Sequence, residues 1–321
     1  MRAIAPTLVT ILLALFSSQA LAQGEFAGRR VLWVDSYHKG FEWSDGIERG
    51  IESGFRDTGV ELRTMHLNTK RDQDESHMLA AGRQALALTE AFAPHVVIAS
   101  DDNAQKYYVV PFLRGGNTPV VFCGVNWDAS MYGYPTTNVT GMLEVNLVNE
   151  LVAHLSRHAK GPRIGYLSGD VETEHKIMDV YNKRFFNGTL QPFLAKDFEA
   201  FARLARRASS EVDMLVVGNY GGIEGFDPDA AEALMAAEVK VPTGCFDSYM
   251  SRYVIYTLSK TPEEQGQWSA ETALRILSGT RPADIPMTAN RQANLIINMR
   301  MAKAVGIVVP LSVLKTAEIL K

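Results

Sequence analysis

The chain has 321 residues, a formal net charge of −4 and 46% hydrophobic residues. That length suffices for two separate cores, and the mild acidity excludes a nucleic-acid binder held by phosphate contacts. Two cysteines, Cys123 and Cys245, exclude both a disulfide scaffold and a cysteine-rich metal site; free thiols are expected for both.

The first element reads as an export signal. Arg2 gives a positive start, an apolar stretch runs from Ile4 to Phe16, and Ala20-Leu21-Ala22 offers a small-x-small cleavage pattern before Gln23. Residues 1–22 are therefore expected to be a cleaved signal peptide and the mature protein to be periplasmic. No Cys follows the apolar run to take a lipid, and no later segment has the apolar length of a spanning helix.

From residue 31 onward, apolar β-branched runs alternate with amphipathic helical stretches. Val31 to Asp35 predicts a strand. A helix follows from Trp43, capped by Ser44 or Asp45, with Ile47, Ile51 and Phe55 on one face. Val60 to Leu67 is the next strand, and Glu75 to Phe92 a helix with Leu79, Leu86 and Phe92 inward. His95 to Ser100 and Pro119 to Cys123 are buried strands flanking a helix over Asn103 to Leu113, with a stop or kink at Pro111. This βαβαβαβ order implies a parallel sheet with helices on both faces.

The series restarts with Val139 to Val145, which leads into a helix over Leu147 to His158. Arg163 to Ser168, Leu190 to Ala195, Met214 to Gly218 and Val241 to Cys245 read as strands. The helices between them are Glu172 to Phe185, Phe198 to Arg207 and Pro228 to Ala237. A tail follows: apolar Tyr253 to Leu258, helix Pro262 to Leu277, extended Ala283 to Pro286, strand Ala293 to Asn298, helix Met299 to Val305 and a last helix to Leu320. The expected layout is an N-terminal lobe over 23–140, a C-terminal lobe over 141–250, and a hinge crossing and shared C-terminal segment over 251–321.

Ligands of parallel sheets bind beyond the carboxyl ends of the strands. Those positions supply the candidate ligand-binding residues: Ser36, Tyr37, His38 and Trp43 after the first strand, Ser100 and Asp101 after the third, Asn126 and Trp127 after the fourth. The second series adds Ser168, Asn219, Tyr220 and Asp247. Aromatic side chains beside a few hydrogen-bonding groups suit a small organic solute. Tyr37, Trp43 and Trp127 would form a shelf, Ser100 and Asn126 would bond a carboxylate or carbonyl, and Asp101 an amine. Asn219 and Asp247 would approach from the second lobe. Many strand-end Asp and Ser residues also cap helices, which is the structural role open to Ser44, Asp45 and Asp102.

Enzymatic readings find little support. His38 with Asp101 or Asp102 could pair as base and orienter, but there is no Gly-x-Ser-x-Gly elbow. His38, His66 and His77 lack metal-ligand spacing, and Gly221-Gly222 lacks the rest of a dinucleotide fingerprint. No cofactor is expected.

VLWVDSYHKGFEWSDGIERGI (31–51), PVVFCGVNWDASMYGYPTTNVTGMLEV (119–145) and the tail segments RILSGTRPADIP (275–286) and NLIINMRMAKAVGIVVPLSVL (294–314) resemble ABC-transporter substrate-binding proteins related to tryptophan- and tyrosine-binding lipoproteins. The resemblance spans nearly the whole mature chain and implies a two-lobed type I periplasmic-binding-protein fold, each lobe a mostly parallel sheet flanked by helices, with a hinge of about three crossovers. It implies a monomer that captures a small ligand, such as an amino acid or aromatic carboxylate, for an ABC permease. The lipid-anchored Cys of better-known members is absent. The aromatic-rich first segment is similar to versions found beside or fused to sensor kinases. A sensory receptor for a membrane histidine kinase or cyclic-dinucleotide enzyme is accordingly the alternative, and a periplasmic hydrolase or reductase a remoter one.

Overall fold

The computed structural model describes residues 24–321, so the signal peptide expected at 1–22 lies outside the described residues. The chain divides into two units. One comprises the residues up to Glu144 together with Pro262–Asn290, the other Val145–Thr261 together with Arg291–Lys321. The chain thus passes from one unit to the other after Glu144, after Thr261 and after Asn290.

In chain order the strands are β1 (Arg30–Asp35), β2 (Glu61–His66), β3 (Val96–Ser100), β4 (Val120–Asn126), β5 (Val139–Glu144), β6 (Ile164–Gly169), β7 (Gln191–Ala195), β8 (Met214–Val217), β9 (Thr243–Cys245), β10 (Tyr256–Lys260), β11 (Thr288–Ala289), β12 (Ala293–Asn298) and β13 (Glu318–Leu320). The first unit holds a sheet in the order β11-β5-β4-β3-β1-β2, with every neighbouring pair parallel. The second holds the order β13-β12-β10-β9-β8-β6-β7, parallel except where β10 meets β12.

The apolar runs become strands because both faces of the first sheet are covered. Val31 and Trp33 of β1, Val96 and Ile98 of β3, and Val121 and Cys123 of β4 point to one core. Their neighbours Leu32, Val34, Val97, Ala99, Val120 and Phe122 point to the other. Side chains alternate faces along a strand, so a strand buried on both sides must be apolar at every position. Each fully buried aliphatic side chain contributes roughly 2 kcal/mol.

The first core is closed by helix Glu42–Phe55, through Ile47, Ile51 and Phe55, and by helix Pro262–Leu277, through Ala270, Ala273 and Ile276. These two helices approach nearly backbone to backbone. A Cβ on Gly50 would lie 2.3 Å from the Glu263 carbonyl oxygen, and one on Gly266 would lie 2.1 Å from that of Ile47. The late segment is therefore built into the first unit, although it follows the last of that unit's first five strands only after the chain has passed through the other unit.

Local signals start the helices of the second unit. The Asp197 carboxylate accepts from Ala200 N at 2.7 Å, and helix Phe198–Glu211 then buries Phe201, Ala205 and Ala208 at helical spacing. Asp227 accepts from the amides of Asp229 and Ala230, with Pro228 opening helix Pro228–Glu238.

Several local expectations change. Phe41, not Ser44 or Asp45, is the N-cap of the first helix, and no side chain caps it. Asp45 instead accepts from Gly40 N at 2.8 Å, fixing the turn ahead of the helix. In helix Glu75–Phe92 the inner face is Ala81, Gly82, Ala85, Thr89 and Phe92, while Leu79 is 46% exposed. Close packing selects these small residues: a Cβ on Gly82 would lie 2.0 Å from Tyr107 O. The stretch expected as one helix over Asn103 to Leu113 is a short α-turn, Asp101–Ala104, continued as a π-helix over Gln105–Leu113. Pro111, which has no amide hydrogen to donate, lies inside that wider turn.

Strand β5, expected to open the second series, pairs with β4 and completes the first sheet instead. Pro282–Asp284 is a 3₁₀ turn rather than extended chain. The expected last helix stops at Leu314, and Glu318–Leu320 adds to the second sheet beside β12. Cys123 and Cys245 are both free and buried, and they belong to different units.

Candidate functional site

Each sheet has a point where the strand order reverses, and crevices that accept ligands form there. In the first sheet it lies between β1 and β3, which run on to opposite sides. The strand ends at that point are Asp35-Ser36-Tyr37 and Ser100-Asp101-Asp102.

A hydrogen-bonded frame holds this edge. Trp33 Nε1 donates to Ser100 Oγ at 3.1 Å, and Ser100 Oγ donates to Asp35 Oδ1 at 3.0 Å. The other Asp35 oxygen lies 2.9 Å from His66 Nδ1. Ser36 Oγ donates to Ser100 O at 2.6 Å and accepts from Ala104 N at 2.8 Å. Thr69 Oγ1 donates to Ser36 O and accepts from Asn103 Nδ2. All of these bonds are satisfied within the unit, so Ser36 and Ser100, both fully buried, order the edge.

Asp101 differs from its neighbours. Its backbone is left-handed, with φ 65°, a conformation that carries strain of about 1–3 kcal/mol for a non-glycine residue. Its side chain is only 2% exposed. Oδ1 accepts from Trp43 Nε1 at 2.9 Å, but Oδ2 is buried and has no hydrogen-bond partner. Burial, then the charges of Asp35 and Glu144, push its carboxyl well above the usual carboxylate range, against the pull of the Trp43 bond. A buried acceptor left open costs about 1–3 kcal/mol, which a ligand donor can recover.

The space for that carboxylate is made by Gly124. Its φ is +71°, and a Cβ there would lie 2.7 Å from Asp101 Oδ1. Gly124 N donates to Gln265 Oε1 at 3.1 Å, and Gln265 Nε2 donates to Leu143 O at 3.2 Å. The fully buried Gln265 thereby ties β4 to β5 where their register shifts, between Phe122 and Val125.

Aromatic groups flank this edge. Tyr37 meets Phe41 edge-on with centroids 5.1 Å apart, and Lys70 Nζ sits 4.7 Å from the Tyr37 ring centre. Burial and the nearby carboxylates, Asp101 first among them, push the Tyr37 hydroxyl far above its ordinary range. A cavity of about 340 Å³ is lined by Tyr37, Thr69, Lys70, Gln73, Asp102 and Asn103. Asp102 accepts from Tyr132 OH at 2.7 Å and from Asn126 Nδ2 at 3.4 Å. His38 lies against Phe41 with Nδ1 3.1 Å from Lys39 O, so the base–orienter pair with Asp101 is not formed. Trp127 has φ 59°, and its amide donates to Glu144 O at 3.0 Å.

In the second unit the order reverses between β6 and β8. Here Glu174, 3% exposed at the start of helix Glu172–Tyr181, is the organising group. Its Oε2 accepts from Tyr166 OH at 2.6 Å, Ser168 Oγ at 2.5 Å and Asn219 N at 3.4 Å. Ser168 is thus committed to Glu174, and the Asn219 side chain accepts from Gly221 N at 2.6 Å, shaping its own loop. Tyr220 stacks on Phe226 with centroids 4.5 Å apart and meets Tyr249 edge-on. Burial raises the Asp247 carboxyl above its ordinary value, with Lys260 opposing.

The strand-end rule brought Ser36, Tyr37, Trp43, Ser100 and Asp101 together in the first unit, and Ser168 and Asn219 together in the second. It missed Gln265 and Glu174, which act from helices, and Glu144, which ends a strand assigned to the other series. A buried Gln in helix Pro262–Leu277 leaves a weak trace, a polar residue on an otherwise small and apolar face. Among the described residues no group of three or more His, Cys, Asp and Glu is placed to hold a metal ion, and no helix is long and apolar enough to cross a membrane.

Two α/β units, each with polar and aromatic side chains gathered at the switch point of its sheet, define the two-lobed class of solute-binding proteins. Residues 43–321 match the family described as ABC transporter substrate binding protein, and the chain belongs to that family. No match is found among curated proteins. The fold is shared with an ABC domain from Streptococcus pneumoniae in complex with L-Trp, at 20% identity and TM-score 0.56, covering 91% of this chain and 99% of that one. It is shared with a ligand-free, open substrate-binding protein with adhesive properties from Clostridium difficile, at 15% identity and TM-score 0.68, with the same coverage. An ABC transporter solute-binding protein from Bradyrhizobium with bound bis-tris matches at 15% identity and TM-score 0.56, covering 90% and 87%.

Proposed function

We propose that this protein is exported to the periplasm, captures a small organic solute there and delivers it to an ABC permease. The family assignment supports the binding role, and the single structural observation behind the site is the buried, open Oδ2 of Asp101 at the switch point of the first sheet. A strained backbone, a glycine that clears the space and a tryptophan that holds one oxygen all serve that carboxylate. Strain of this kind persists at sites where the surrounding structure has a task for it. Two proteins of the same fold carry small nitrogen-containing molecules, L-Trp and bis-tris, which suits a site built around an acceptor.

The test is a thermal-shift screen of the mature protein against a general library of small organic solutes, followed by calorimetry on the hit. A ligand at a hundred times its dissociation constant adds about 2.7 kcal/mol of stability. Asp101→Asn is expected to weaken the hit about 10- to 100-fold, the equivalent of one charge-assisted hydrogen bond. A library without a hit would overturn the binding role, and unchanged affinity in the variant would overturn the site.

A further inference from the structure

The left-handed backbone of Asp101 is not held by its own side chain: Oδ1 accepts from Trp43 and Oδ2 is open. A strained conformation persists where surrounding groups over-determine it, and the carbonyls at this turn show which groups do so. Ser100 O accepts from Ser36 Oγ at 2.6 Å. The carbonyls on either side of it, Ala99 O and Asp101 O, both accept from the amide nitrogen of Gln105, at 3.0 and 3.2 Å.

Gln105 is fully buried and opens the π-helix Gln105–Leu113. Carbonyl oxygens only accept, so the side-chain amide must turn its nitrogen to them and its own oxygen away. That oxygen accepts from Tyr134 OH at 3.1 Å. The Tyr134 ring in turn stacks on Phe122 of β4, with centroids 5.3 Å apart. Tyr132, from the same loop, donates to Asp102. The loop after β4 thus reaches back with two hydroxyls to the turn after β3. Glutamine suits this position chemically. Its amide has two hydrogens for two carbonyls and an oxygen for the hydroxyl, whereas Met of similar length has neither and Glu would set oxygen against oxygen.

We propose that Gln105, oriented by Tyr134, is a positioning residue for solute binding: it holds the Asp101 backbone in the conformation that aims the carboxylate and leaves Oδ2 open to the solute. The role in affinity rests on the solute-binding reading above; the placement of the carboxylate does not.

Trp43 supplies a readout that needs no solute. Its indole N–H is bonded to Asp101 Oδ1, so its proton resonance reports where the carboxylate lies. Gln105→Met and Tyr134→Phe are compared with the natural sequence as isotope-labelled mature protein, with the indole of Trp268 in helix Pro262–Leu277 as the reference for general loosening. In Gln105→Met the Trp43 resonance is expected to move upfield as its bond weakens, while that of Trp268 stays. Tyr134→Phe is expected to move it the same way by less. An unmoved Trp43 resonance, or an equal movement of Trp268, would overturn the proposal. If Gln105→Met does not fold, Tyr134→Phe decides by the same criterion.

Calorimetry with the solute found in the screen gives the second arm. Gln105→Met is expected to lose affinity about tenfold or more in the natural background, and less than about twofold when Asp101→Asn is already present, as for two residues acting through one contact. Equal losses in both backgrounds would show that Gln105 acts elsewhere and overturn its positioning role, leaving the solute-binding reading intact. A screen without a hit removes that reading and the role in affinity with it, and the Trp43 resonance then decides whether Gln105 places the carboxylate.

Discussion

At the scale of the residue, Asp101 couples binding to stability. Its carboxyl retains a proton to higher pH in the folded protein than in the unfolded chain, because burial and then Asp35 and Glu144 disfavour the charge; Asp102 adds to this and Trp43 opposes it. The folded state therefore holds more protons, and stability falls as pH rises from the ordinary carboxylate range near about 4 through the raised value. Each unit of that elevation amounts to roughly 1.4 kcal/mol. Asp101→Asn cannot ionise, so it is expected to melt higher than the natural protein at neutral pH and to match it more closely near pH 4. Melting curves across pH 4 to 8 measure this. A variant that melts lower at every pH would show the carboxylate to be a structural anchor instead. The Asp was readable as a strand-end residue, but its left-handed backbone and open oxygen were not. They arise from Gly124 and Trp43, which lie 23 residues after it and 58 before it.

At the scale of the element, helix Pro262–Leu277 carries weight that its local sequence does not advertise. It packs on helix Glu42–Phe55 through glycines, and its Gln265 ties β4 to β5 next to Gly124. Gly266→Ala is expected to force these helices apart and cost about 1–3 kcal/mol, the range for overpacking a tight contact; chemical denaturation reads the change, and a loss below about 0.5 kcal/mol would contradict the contact. Gly124→Ala makes a different forecast. A Cβ on Gly124 would crowd Asp101 Oδ1 at 2.7 Å, so affinity for the solute found in the screen should fall about tenfold or more alongside any loss of stability. Calorimetry on both variants separates them: Gly124→Ala should fail in binding at temperatures where it remains folded. The helix itself was predicted at its observed bounds, because its apolar spacing is local. Its partner was not, because a glycine that meets a distant backbone looks the same in sequence as a glycine in a turn.

At the scale of the whole molecule, two units joined by three passages of chain suit a protein whose ligand changes the balance between arrangements. A solute shifts that balance only as far as it binds one arrangement better than another. Small-angle scattering on the mature protein, with and without a saturating ligand, is expected to show a smaller radius of gyration in its presence. An unchanged profile at full occupancy, established by calorimetry in the same buffer, would show that binding leaves the arrangement of the units as it was.

Much of this protein was determined by sequence alone. Runs such as Val31–Val34 and Val96–Ala99 are apolar at every position, and only strands covered on both faces require that, so the parallel α/β character is legible in the sequence itself. The residues at the ends of those strands were legible for the same reason, since a parallel sheet sends all its strand ends to one edge. Only the tertiary structure decided which sheet β5 joins, why the chain returns at Pro262 to complete the first unit, and which strand-end polar groups are already spent on one another. Ser100, Ser168 and Asp101 read alike as polar residues closing a strand. The first two bond within the fold, to Asp35 and Glu174, and the third keeps one oxygen open. That difference depends on partners far away in sequence, and hydrogen-bond satisfaction is a property of neighbours in space.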